Sequence, residues 1–347
     1  SGNPVEFIIT VKDQSVIWPK NIEWKRSDRG TPEIPPRISP IKNWPDDFTE
    51  KYKEDILMLD GEKPAVFPIS GKQVVFTRKN CIDPENQIQE LVSYLEERYN
   101  AIGVRTFRQD FSWRGIPQTN LIAVLPGKKN GSKPVLLADH IDTAFCEDIY
   151  DETGRRVSAP GADDNLSATA TLLRAAEILK DVPRSRDIWL VHLTGEEFPA
   201  DDLGARYFIS NLLEKKQDIS SLVLLDMTGY REANDNIFQL NPDASKQALV
   251  MASIAENAAK DITAFSPVIR KRFDPKSYLY NTDGIVFSEA GFPVLYINEH
   301  LNKLENLYRK GYHHSTDTSA RIDWGYASDI AKVAITTTAI LAGSDQP

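Results

Sequence analysis

From Asp83 onward the hydrophobic pattern of the chain alternates between two periods. Ile88, Leu91, Val92, Leu95 and Tyr99 recur at helical spacing behind Asp83-Pro84, an N-cap candidate with proline at the first helical position. Gly103 closes the run, so a helix is predicted over about residues 84–102. Short apolar runs bounded by turn residues follow: Val104 to Phe111, Leu121 to Leu125, Val135 to Asp139, Asp187 to Leu193, Leu222 to Leu225 and Pro293 to Ile297. These predict strands. Helical spacing returns over about 167–180, 203–215, 244–259 and 326–341. Strands alternating with helices predict an α/β fold whose central sheet is mostly parallel and covered by helices on both faces. No internal repeat interrupts the pattern.

The segment before residue 80 has a different texture. Nine of the 21 prolines and Trp18, Trp24 and Trp44 fall there. Proline blocks regular helix and exposed tryptophans are costly, so residues 1–80 are expected to form an extended amino-terminal arm packed onto a main domain of residues 81–347.

Composition narrows the classes. With 347 residues, 41% of them hydrophobic, the chain can bury a full core. A net charge of −9 and the lack of any Lys/Arg run argue against a nucleic-acid partner. No membrane span is expected, since the most apolar stretch, Ile330 to Leu341, is short and interrupted by Lys332 and threonines. Cys81 and Cys146 have no Cys-x-x-Cys partner and read as either a disulfide or two free thiols.

The candidate chemistry sits where predicted strands end. His140, Asp164, Glu197, Asp226 and His313 appear in that order, and three of them follow directly on predicted buried strands. In open α/β sheets ligands bind at the carboxyl ends of strands. His140-Ile141-Asp142 has the spacing that lets a carboxylate hold the second nitrogen of an imidazole. Gly161-Ala162-Asp163-Asp164-Asn165 lies in a loop before a predicted helix, where one carboxylate is placed to bridge two cations. In Gly195-Glu196-Glu197, adjacent side chains diverge, so one glutamate can ligate metal while the other faces substrate water. Asp226 ends an apolar run, an odd place for a bare carboxylate, and His313-His314 supplies two of only five histidines. Each motif alone reads as readily as a cap, an Asx turn or a surface loop. Five in strand-end register read as a two-zinc hydrolase.

Together, Asp139-His140-Ile141-Asp142, Gly161-Ala162-Asp163-Asp164-Asn165-Leu166-Ser167, Gly195-Glu196-Glu197, Leu225-Asp226-Met227 and Tyr312-His313-His314-Ser315-Thr316-Asp317-Thr318 resemble the ordered motifs of the secreted dizinc aminopeptidase family. That family takes in bacterial leucyl-type aminopeptidases, glutamate carboxypeptidases and glutaminyl cyclases, and the resemblance covers about residues 84–345. It implies a zinc-exopeptidase fold of the phosphorylase/hydrolase type, two Zn2+ per chain, a peptide substrate and a secreted or periplasmic location.

Carried onto this sequence, the resemblance makes Asp164 the bridge between the two ions. His140 and Asp226 complete one site, Glu197 and His313 the other. Glu196 becomes the general base acting on a water between the ions, Asp142 the partner of His140, and the Asp164–Asn165 peptide cis. His313 is preferred over His314 because it stands four residues before Asp317. Asp201 and Asp202, in a longer turn than the family usually has after Glu197, are candidate contacts for the substrate amine, and Tyr280 is a candidate oxyanion donor. Gly284 stands where the family has histidine, which puts any role of that histidine in doubt.

Rival functions on the same scaffold are a single-zinc glutaminyl cyclase, in which serine rather than Asn165 would follow the bridging aspartate, and a carboxypeptidase using Arg206, Arg270 or Arg272 for a substrate carboxylate. A non-catalytic binding module is the third alternative.

Overall fold

The computed structural model describes residues 10–11, 14–15, 39–232, 235–301 and 311–343. Trp18, Trp24 and the prolines from Pro4 to Pro36 lie outside the described residues.

Eight strands form one sheet: β1 (Arg105–Trp113), β2 (Ile116–Leu125), β3 (Val135–His140), β4 (Ile188–Leu193), β5 (Ser221–Leu225), β6 (Ile237–Pro242), β7 (Ser266–Ile269) and β8 (Val294–Glu299). Their order is β7-β6-β8-β5-β3-β4-β2-β1. The middle four, β8, β5, β3 and β4, run parallel, while β2 pairs antiparallel with both β1 and β4, and β6 antiparallel with β8. The parallel centre places the ends of β3, β4 and β5 side by side, so residues far apart in sequence reach one edge of the sheet.

Helices cover both faces. On one lie α1 (Phe48–Leu59), α2 (Ile88–Ala101), α4 (Leu166–Leu179), α6 (Lys246–Ile262) and α8 (Trp324–Ala342); on the other, α5 (Leu203–Glu214) and the short α7 (Gly284–Glu289). A further short helix, α3 (Glu147–Thr153), projects from the loop after β3. Strand residues alternate between the two cores: Leu137, Leu190 and Val223 face α4 and α8, while Leu136, Val191 and Leu224 face α5 and α7.

The same alternation divides Asp139 from His140. Asp139 turns into the first core, where its carboxylate meets His192 Nδ1 at 2.8 Å and accepts from the Thr169 hydroxyl at 2.6 Å; Tyr99 closes the chain on His192 Nε2 at 2.6 Å. This buried network ties α2, α4, β3 and β4 together and leaves His140 free to face the opposite side.

Two expectations need correction. The segment expected to be an extended arm contains α1, whose Phe48, Tyr52, Ile56 and Leu59 are buried in the core beside α4 and α8. Pro40 and Pro45 precede this helix and so do not interrupt it. The first predicted helix begins at Ile88, not residue 84: the Asp83 carboxylate pairs with the Arg78 guanidinium and accepts from the Glu85 backbone N–H instead of capping a helix. Cys81 and Cys146 are both buried and free. No helix among the described residues is long and apolar enough to cross a membrane.

Candidate metal centre

The five expected ligands converge at the carboxyl edge of the parallel strands. His140 is the last residue of β3, Asp226 follows β5, and Glu196 and Glu197 lie three and four residues beyond the end of β4. Asp164 comes from the loop that enters α4, and its peptide bond to Asn165 is cis, as the resemblance implied. Gly161 lets that loop turn: its φ is +69°, and a Cβ there would sit 2.2 Å from Thr143 Cγ2. His313 arrives from the loop before α8 with φ +55°, a left-handed conformation that only neighbouring contacts can hold.

Asp164 divides its oxygens between the two histidines. Oδ1 is 3.4 Å from His140 Nε2 and Oδ2 is 3.6 Å from His313 Nε2. His140 Nε2 is also 3.5 Å from Asp226 Oδ1, and His313 Nε2 is 3.3 Å from Glu197 Oε2. These spacings are too long for good hydrogen bonds. They match the separation of about 3.4 Å expected between two atoms that each bind a tetrahedral ion at zinc-like distances. Among the described residues His140 Nε2, Glu197 Oε1 and Asp226 Oδ1 are buried with no hydrogen-bond partner. Such atoms are costly unless something pairs with them, and imidazole plus carboxylate donors fit divalent metal.

The electrostatics point the same way. Burial, together with Asp164 and Asp142, pushes Glu197 up to about 8 against the pull of His313 and His140. Burial also raises Glu196, with Glu197, Asp226 and Asp283 adding to it and His140 opposing. So many carboxyl groups resist ionising together unless cations lie among them.

The supporting residues differ from expectation in three places. Asp142 does not hold the imidazole through its carboxylate, which lies 3.8 Å from His140 Nδ1; its backbone carbonyl does, at 3.1 Å. The carboxylate turns to the neighbouring loop and accepts the N–H groups of Gly195 at 2.8 Å and of Glu196 and Glu197 at 3.3 Å. Asp142 therefore positions both glutamates. Tyr280 packs under Arg272, with Glu289 and Asp243 as its acidic neighbours, whereas Tyr278, two residues earlier, feels Asp226 and Asp164. The Tyr278 hydroxyl donates to that of Tyr312 at 3.0 Å, and the Tyr312 ring stacks 3.6 Å from the ring of His313.

Asp201 and Asp202 part company. Asp201 is exposed beside Arg206, while Asp202 is buried and feels His140 and Asp226; burial and Asp201 push it up to about 6. A histidine at Gly284 would require its neighbours to shift, because a Cβ would meet Leu279 Cδ1 at 2.7 Å and Leu224 Cδ2 at 3.1 Å. Arg206, Arg270 and Arg272 are all paired, with Asp201, Asp274 and Glu289 respectively.

Four supporting residues escaped the sequence reading. Asn165 straddles Asp226, donating to the Leu225 carbonyl at 3.0 Å and accepting from Met227 N–H at 3.3 Å. Asp317 accepts the N–H groups of Asp163 and Asp164 at 3.0 and 3.1 Å, so it fixes the bridging loop. Glu147 meets His313 Nδ1 at 3.2 Å. Asp283 stands at the N-cap of α7 without capping it, fully buried, and neither of its oxygens has a hydrogen-bond partner among the described residues. Of these, Asn165 and Asp317 lay within motifs and Asp283 directly before Gly284, but none of them was given these contacts, and Glu147 lay outside every motif.

The chain is 24% identical to the uncharacterized protein YfbL of Escherichia coli, over 73% of this chain and 80% of that one. It is 27% identical to leucine aminopeptidase 1 of Paracoccidioides brasiliensis, over 72% of this chain but only 61% of that longer protein. Its fold matches LapA of Legionella pneumophila at a TM-score of 0.65 and 16% identity, covering 85% of this chain and 73% of that one. It matches a glutaminyl cyclase of Fimbriiglobus ruber at 0.64 and 19%, covering 90% and 99%. Residues 120–338, more than half of the chain, match the family model of peptidase family M28, and the chain belongs to that family.

Proposed function

We propose that this peptide hydrolase releases amino-terminal residues from peptides, holding two zinc ions between His140 and Asp226 on one side and Glu197 and His313 on the other, with Asp164 shared and Glu196 as general base. The division of Asp164 between the two imidazoles is the observation that carries the two-ion reading. Bound there, zinc supplies Lewis acidity to the scissile carbonyl and lowers the pKa of the attacking water.

The chain's own groups do the rest. Glu196 Oε2 lies 3.9 Å from His140 Nε2, close enough to cluster with His140 and Asp226; in this reading it is the base and not a ligand, taking the proton of the attacking water and returning it to the leaving amine. Asp142 holds Glu196 and Glu197 in register through their backbone N–H groups. Burial keeps the Tyr278 and Tyr312 hydroxyls protonated; Tyr278 gives its proton to the Tyr312 oxygen, and the Tyr312 O–H is the neutral donor we assign to a developing oxyanion. Asp202, buried, 3.7 Å from Arg206 and within the electrostatic reach of His140 and Asp226, is the acid we assign to a free substrate amine.

Glutaminyl cyclase is the second reading, favoured by the overlay on the Fimbriiglobus ruber enzyme. One experiment separates the two. Zinc-loaded protein is incubated with peptides carrying free or acetylated amino termini, some beginning with glutamine, and products are weighed by mass spectrometry. Loss of first residues from free-amine peptides alone supports the aminopeptidase; loss of ammonia from amino-terminal glutamine supports the cyclase. Glu196→Gln is expected to lower turnover by about 10²- to 10⁴-fold with zinc content unchanged. Full activity in that variant removes Glu196 as the base.

A further inference from the structure

His313 stands on weaker ground than His140. It lies in a loop, its φ is +55°, and, among the described residues, Tyr312 stacks on one face of its ring and Glu147 meets Nδ1. Glu147 opens α3, and three more contacts lock that helix end to the histidine loop. The Glu147 backbone N–H donates to the His313 carbonyl at 2.8 Å, and the Asp148 carboxylate accepts from the Ser315 N–H at 3.0 Å and from its hydroxyl. The helix is braced in turn by the Cys146 N–H on the Val157 carbonyl and by the pairing of Phe145 with Ser158.

We propose that Glu147 is the positioning residue of His313 and selectively sets the affinity of the Glu197/His313 half-site for its ion. This rests on the metal reading above. A carboxylate at Nδ1 holds the proton on that nitrogen, leaves the Nε2 lone pair directed at Asp164 and Glu197, and makes the imidazole a stronger donor. His140 obtains its orientation from the backbone carbonyl of Asp142, which no side-chain substitution removes. The two half-sites therefore answer differently to the loss of one side chain. Glu147 is about one-third exposed, so replacing it opens no cavity in the core.

The test is zinc titration of chelator-stripped protein against a chromogenic chelator, comparing wild type with Glu147→Ala and Glu147→Gln. In Glu147→Ala one ion is expected to bind about 10- to 100-fold more weakly while the other keeps wild-type affinity. Glutamine keeps an acceptor for Nδ1–H, so Glu147→Gln is expected to recover most of the loss. Imidazole ¹⁵N shifts give an independent readout: the Nδ1–H tautomer of His313 is expected to lose population in Glu147→Ala and regain it in Glu147→Gln.

Unchanged affinities in Glu147→Ala overturn the proposal. So does equal weakening of both ions with a lowered melting temperature of the metal-free protein, which marks a general structural effect. Wild type binding one ion defeats the two-ion reading alone; Glu147 still stands if that ion weakens in Glu147→Ala, and falls if it does not.

Discussion

The two halves of the proposed centre, which would share the Asp164 carboxylate, are built by different means. His140 closes a central strand, is 1% exposed, and is aimed by a backbone carbonyl; its partner Asp226 sits between two peptide groups that Asn165 grips from α4. His313 sits in a loop and is aimed by a partly exposed side chain, while its partner Glu197 is held by the Asp142 carboxylate. One half is a product of the sheet, the other of loops clasped together. The difference teaches that similar ligand distances can arise from supports of unequal rigidity, and that sequence motifs record the ligands but not the supports.

Removing the ligands themselves should produce the largest effects. His140→Ala and His313→Ala are each expected to lower kcat/KM by more than about a thousandfold, since ligands act as a unit with their neighbours. Each variant should keep one tightly bound ion. Elemental analysis reading two ions in either variant would break the division into halves.

Next in size is Asp317→Ala, which acts on the shared ligand. Two buried N–H groups, those of Asp163 and Asp164, lose their acceptor, at a cost of about 1–3 kcal/mol each. Because Asp164 serves both histidines, both ions are expected to weaken together. A titration in which only one does would show that the bridge is not shared equally.

Asn165→Ala is the counterpart of the Glu147 variants. It strips the hydrogen bonds on either side of Asp226 and should weaken only the His140/Asp226 ion, by about 10- to 100-fold. Unlike Glu147, Asn165 is wholly buried, so the metal-free protein should also melt at a lower temperature. Equal stability of the two variants would contradict the contrast drawn between rigid and clasped supports.

What the sequence made legible follows from the same contrast. Four of the five candidate ligands lie within a few residues of a strand end or helix start that hydrophobic periodicity exposes, as for Leu222 to Asp226, whereas His313, eleven residues before α8, stands out only through its motif. Glu147 could not, because it belongs to a seven-residue helix with no buried residue, and its contact with His313 spans 166 positions. Tyr278 and Tyr280 look alike in one dimension; the single 3-10 turn Leu279–Asn281 sends one toward the metal ligands and the other toward Arg272. Helix α1 was hidden for the opposite reason. Phe48, Tyr52, Ile56 and Leu59 have helical spacing, but the prolines on either side of them carry the opposite signal. Likewise β6 shows no clear alternation, since Gln239 and Asn241 are buried in a network with Asn298 rather than facing solvent.

The smallest expected effect on the two ions, none at all, belongs to Lys79→Met. Lys79 is fully buried, donates to the Phe76 carbonyl at 2.9 Å, and feels Asp60 and Asp317, the latter being the acceptor for the Asp164 backbone N–H. Burial pulls its ammonium from 10.5 down to about 8, although Asp60 and Asp317 push back. The unfolded chain therefore binds this proton more tightly than the folded one, and stability should rise as pH increases through the window from 8 to 10.5. Below that window the buried charge costs up to roughly 3 kcal/mol. Burial also raises Asp60, from 3.8 to about 6, so its contribution runs the other way at lower pH: the unfolded carboxyl gives up its proton first, and stability declines across that interval. Lys79→Met should abolish the alkaline gain while leaving both zinc affinities at wild-type values. Chemical denaturation at pH 7.5 and pH 10, read as the difference between variant and wild type, checks the first part, and the chelator titration checks the second. A selective change in either ion would mean that Lys79 acts on one half through Asp317, and that the shared carboxylate is not neutral between them.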